Sequence, residues 1–122
     1  MRRLMVLPAV AVVLAASAVT TATAAPAALS VIDISVSTGS LHYDQKTVTA
    51  KAGLVRINFT NNSTTPHNVS LEHGGEFEYG ATLTIRKGIT TTFLTLAKGT
   101  YHLYSSVGND EDRGMSGTLA VK

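Results

Sequence analysis

The chain has 122 residues, 44% of them hydrophobic, with ten Lys/Arg against eight Asp/Glu and no cysteine. The missing cysteine excludes disulfides, thiolate metal sites and thiol catalysis together. Arg2 and Arg3 lie at the N-terminus, so the remainder is charge-balanced and lacks the basic clusters that hold nucleic acid or anionic lipid.

The first segment predicts an export signal. Met1-Arg-Arg is a positive start, Leu4–Val19 is apolar apart from Pro8 and Ser17, and Ala22-Thr23-Ala24 forms an A-x-A cleavage site before Ala25-Pro26. The apolar stretch is shorter than the roughly 20 residues a spanning helix needs. No basic stop-transfer cluster follows it, and no cysteine is present to carry a lipid. The expected division is therefore a signal peptide over residues 1–24 and one domain over 25–122. That domain would be secreted or periplasmic, monomeric, and without a stable membrane anchor after cleavage.

From Leu29 onward, short alternating runs cut by turn residues predict an all-β domain. Leu29–Thr38 places Ile32, Ile34 and Val36 on one face. Tyr43–Ala50 is a weaker strand. Leu54–Asn61 puts Val55, Ile57 and Phe59 on one side and Arg56, Asn58 and Thr60 on the other. Asn61–Pro66 is a loop by composition. His67–Leu71 resumes as a strand, and the Gly-rich, charged Glu72–Gly80 reads as a surface excursion. Ala81–Ile85, Ile89–Leu96, Thr100–Ser106 and Ser116–Val121 complete about eight strands, with turns at Lys87-Gly88 and Lys98-Gly99 and a polar loop over Gly108–Gly114. Eight short strands without a helical segment suit a two-sheet Greek-key sandwich.

Three passages carry chemistry: Thr65-Pro-His-Asn-Val69, Gly53-Leu-Val-Arg-Ile-Asn-Phe-Thr-Asn61, and a tail that runs from Gly99-Thr-Tyr101 to Gly114-Met-Ser-Gly-Thr-Leu-Ala-Val121. Together they resemble the cupredoxins, the blue-copper family of plastocyanin and azurin. The resemblance implies a remote His ligand at His67 and a Cys, His and Met set spaced along the tail loop. Carried over, the Cys position falls on Ser105, the loop His on Asp110 and the axial Met on Met115. A type 1 site combines two imidazoles, a thiolate and a weak axial thioether. Ser105 offers a hydroxyl and Asp110 a hard carboxylate, so the resemblance implies a cupredoxin whose blue site is dismantled. It also implies a tether between the two ligand loops, here Asn68 with Ser106.

Three functions follow from these residues. The first is a non-catalytic extracytoplasmic binding or accessory domain without a cofactor, serving a protein or cell-envelope partner. The second is a non-blue copper or zinc site built from His67 and Asp110, with Met115 or Glu111. The third is a Ser105–His67–Asp110 hydrolase, which would need the imidazole between hydroxyl and carboxylate. His42 and His73 lie in polar turns and should be solvated. His102 and Tyr104 should point outward, opposite Tyr101 and Leu103. Phe77 and Tyr79 are candidate contact aromatics.

Overall fold

The structure, a computed structural model, describes residues 9, 11–18, 29–74 and 76–122, the side chains of 76–78 excepted. The expected cleavage site at Ala24 lies outside the described residues. Residues 9 and 11–18 carry no regular secondary structure, and no helix among the described residues is long and apolar enough to cross a membrane.

Eight strands follow in chain order: β1 (Ser30–Val36), β2 (Thr47–Ala50), β3 (Gly53–Asn61), β4 (Ser70–His73), β5 (Glu76–Ala81), β6 (Gly88–Leu96), β7 (Gly99–Tyr104) and β8 (Ser116–Val121). They form a three-stranded sheet, β1-β3-β6, and a five-stranded sheet, β2-β8-β7-β4-β5. The chain crosses repeatedly between the two layers, as the predicted Greek-key sandwich requires. The parallel pairs β1–β3 and β2–β8 each join strands that are separated by such crossings.

Alternation decides which residues meet between the layers. From the first sheet Ile32, Ile34, Val36, Val55, Ile57 and Phe59 point inward. From the second come Leu71, Tyr101, Leu103, Leu119 and Val121, all buried. Burying such a side chain contributes about 1.5–3 kcal/mol each, which makes this shared layer the driving force of the fold. The layers approach closely at β5: a Cβ on Gly80 would lie 2.7 Å from a Leu94 methyl.

Four boundaries differ from the sequence reading. Tyr43–Lys46 is not strand. Asp44 and Gln45 there hydrogen-bond the Ser35 and Ser37 region through their side chains, which competes with a regular ladder. His67 makes one isolated bridge to Ile85, and β4 starts only at Ser70. Glu72–Gly80 is no excursion. It contributes the end of β4 and most of β5, paired through a register bulge between Leu71 and His73 that hides the alternation. Beyond Ala81 the chain leaves the sheet, so Ala81–Ile85 is not a strand.

Candidate functional site

Two segments build the site at one end of the sandwich. The first is the link from β3 to β4. Asn61 closes the inward-facing series of β3 as a fully buried polar residue. Its amide nitrogen donates to the carbonyls of Thr65 and Ile85, both at 2.8 Å, while its oxygen accepts from the Ser63 backbone and hydroxyl at 2.9 and 2.8 Å. With every polar group answered, the turn is fixed and delivers His67 into the interior. The His67–Ile85 bridge (3.1 and 3.0 Å) then holds its backbone.

The second segment is the loop between β7 and β8. It closes on itself where the Ser105 amide donates to the Met115 carbonyl (3.2 Å) and the Met115 amide to the Asp110 carbonyl (3.0 Å). Gly114, at φ +113°, makes the turn into Met115, a conformation that disfavours residues with a side chain. Positions 105, 110 and 115 are thereby gathered beside His67. His67 and Met115 are fully buried, Ser105 nearly so, and Asp110 retains 7% exposure.

One atom organises the centre. Asp110 Oδ2 lies 2.7 Å from His67 Nδ1 and accepts the Ser105 hydroxyl at 2.8 Å. Both are well-formed hydrogen-bond lengths. The carboxylate oxygen therefore occupies the point where His67 and Ser105 converge. His67 Nε2 is buried without a hydrogen-bond partner. Burial, and then the charges of Asp110 and Glu111, push the Tyr43 phenol above its ordinary value. Its hydroxyl donates to the Asn68 carbonyl at 2.6 Å.

Around this centre Asn68 and Ser106 exchange two bonds. The Asn68 side-chain nitrogen donates to Ser106 Oγ (2.8 Å), and the Ser106 amide donates to Asn68 Oδ1 (2.9 Å). The two segments are thus tied together independently of Asp110. Glu111 points elsewhere, to a surface contact with His102 at 3.2 Å, and His102 stacks on Tyr104. His42 bonds Ser40 in the turn. His73 is exposed and stacked on Tyr101 at 4.5 Å, and Tyr79 meets Tyr101 edge-on at 5.6 Å.

A protein-family profile described as PQQ-associated matches residues 7–122. The chain belongs to this PQQ-associated family. No curated protein matches it. Among solved structures, reduced auracyanin from Roseiflexus castenholzii is similar at 24% identity and a TM-score of 0.71, covering 76% of this chain and 97% of that one. Auracyanin A, a "blue" copper protein from Chloroflexus aurantiacus, reaches 22% and 0.68, with 78% and 100% covered. An azurin from Methylomonas sp. strain J reaches 16% and 0.63, with 76% and 98% covered. The fold of this PQQ-associated protein is thus cupredoxin-like, and the chain has no cysteine.

The residues of the PQQ-associated protein do not fit the copper of a blue site. No thiolate is available, and the imidazole and the Ser105 hydroxyl are both turned onto one carboxylate oxygen. Among the described residues no group of three or more His, Cys, Asp or Glu could hold a metal ion. The arrangement is not that of a hydrolase triad either, because the carboxylate rather than the imidazole stands in the middle. Asn61 and Tyr43 escaped the sequence reading. The usable signal for Asn61 was a polar residue at an inward-facing position of β3; for Tyr43 there was none.

Proposed function

We propose that this PQQ-associated protein is an exported, metal-free accessory domain of a PQQ-dependent system, binding a partner rather than catalysing or carrying electrons. The observation that carries the reading is the carboxylate oxygen of Asp110 standing between His67 and Ser105. That oxygen takes up His67 Nδ1 and the Ser105 hydroxyl without a metal, and in this cluster only His67 Nε2 is left buried and unpartnered. The Ala24 leader supports export, and the family description supports the link to PQQ.

The reading is tested by copper and zinc titration of the protein expressed from Ala25, followed by desalting, elemental analysis and electron paramagnetic resonance. Retention well below one equivalent, without a type 1 or type 2 signal, is expected. One equivalent of copper lost on His67→Ala or Asp110→Ala would replace this reading with the non-blue site of His67, Asp110 and Met115. The accessory role is tested separately, by deleting the protein in its source organism. PQQ-dependent oxidation should fall and return with the unaltered chain; unchanged oxidation would reject that role.

A further inference from the structure

The edges of a β-sandwich offer unpaired backbone donors and acceptors to other chains, and natural edges are blunted by charge, bulges, shortness or a covering segment. Three of the four edges here are guarded. β2 is four residues long, and β5 pairs through a bulge and carries Glu76 and Glu78. The outer side of β1 is covered by the segments on either side of β2: Asp44, ahead of it, donates its amide to the Ser35 carbonyl, and Lys51, just after it, donates its amide to Ser30 Oγ.

β6 is different. It runs nine residues, Gly88–Leu96, in unbroken register with β3, without a charged residue or a proline. Among the described strands nothing pairs with its other side. Ile89 and Phe93 stand on its outer face, 71% and 55% exposed. The sequence Ile89-Thr90-Thr91-Thr92-Phe93 is also close to symmetrical about Thr91. Paired antiparallel with itself about that residue, it sets Ile89 opposite Phe93, Thr90 opposite Thr92, and Thr91 opposite Thr91. Aromatic–β-branched and Thr–Thr pairs are among the favourable cross-strand combinations.

We propose that the free edge of β6 pairs with β6 of a second copy, antiparallel and centred on Thr91, joining two three-stranded sheets into one of six. The cross-strand row of Val31, Arg56 and Phe93 then continues from one copy into the other. A nine-residue strand is only about 30 Å long, and such an edge contact falls short of the roughly 1,000 Å² expected of a stable interface. The dimer therefore forms at high local concentration, and the expected monomer is the dilute form. Each end of the joined strands brings Arg86 and Lys87 near Lys98 of the second copy. Like charges meet there, so added salt strengthens the association.

The absence of cysteine makes the test direct. Opposed residues at a two-fold axis have Cα atoms about 4.5–5.5 Å apart, within the range a disulfide spans. Under mild oxidation the Thr91→Cys variant should cross-link at least tenfold faster than Thr95→Cys, because the two copies of residue 95 lie roughly 27 Å apart along the strands. Sedimentation equilibrium of the unaltered protein should show a monomer–dimer equilibrium that tightens from 0.05 to 0.5 M salt. Thr91→Lys, which opposes a charge to itself, should weaken that equilibrium tenfold or more. Equal cross-linking rates at the two positions, or a pure monomer at millimolar concentration, would overturn the proposal.

Discussion

Asp110 accepts from two buried donors at once, so its removal should harm the fold more than removal of either donor. With Asp110→Ala, Ser105 Oγ and His67 Nδ1 are left without their acceptor in a space sealed from water. The expected loss is about 2–4 kcal/mol, against about 1 kcal/mol for Ser105→Ala, which removes the bond to Asp110 and a long 3.5 Å one from the Asn68 amide. Urea denaturation compares the two, and equal losses would show that the carboxylate is not the hub. Asp44 gives a second test. A hydrogen bond from Ser35 foremost, with help from Ser37 and His42, holds its carboxyl below the usual value of 3.8. A carboxyl lowered in the folded state stabilises it above the unfolded pKa, and that contribution disappears as pH falls through the lower folded value. Stability should decline below about pH 4, and less so in Ser35→Ala; identical acid profiles would exclude the contribution. The cupredoxin resemblance implied that Asp110 falls beside His67, but it did not imply the single oxygen shared by His67 and Ser105. Spacing sets where backbone goes, whereas the shared acceptor depends on rotamers.

At the scale of elements, long alternating runs were readable and irregular ones were not. β3 keeps strict alternation over nine residues and β6 from Ile89 onward, and both came out within a residue of expectation. The β4–β5 hairpin was missed because its bulge breaks the period and its glycines imitate a loop. The site depends on elements of the first kind. β8 begins directly after Met115 and is held between β7 and β2. Gly117 is required there: an added Cβ would lie 2.6 Å from the Lys46 carbonyl oxygen. Gly117→Ala should therefore force β2 away from β8 and cost about 1–3 kcal/mol. Thermal unfolding checks this, together with amide exchange of Thr118, whose amide donates to the Lys46 carbonyl at 2.7 Å. Unchanged exchange at Thr118 would mean that the strands absorb the methyl without moving.

For the whole molecule, the question is whether the scaffold holds its site without a metal. Several restraints on the site are independent of any ion: the Asn61 network, the His67–Ile85 bridge, the Asn68–Ser106 exchange and the backbone closure from Ser105 to Met115. They fix His67 and the ends of the tail loop before side chains at 105 and 110 are chosen. If that separation holds, chemistry can be restored without redesigning the fold. The double variant Ser105→Cys with Asp110→His replaces the carboxylate with an imidazole and supplies the thiolate beside buried Met115, completing the donor types of a type 1 site. With Cu(II) it should turn intensely coloured and show a type 1 paramagnetic resonance signal, whereas Asp110→His alone should remain pale. A double variant that folds yet stays pale would show that the Asp110 carboxylate, rather than the backbone restraints, holds the loop in its present shape.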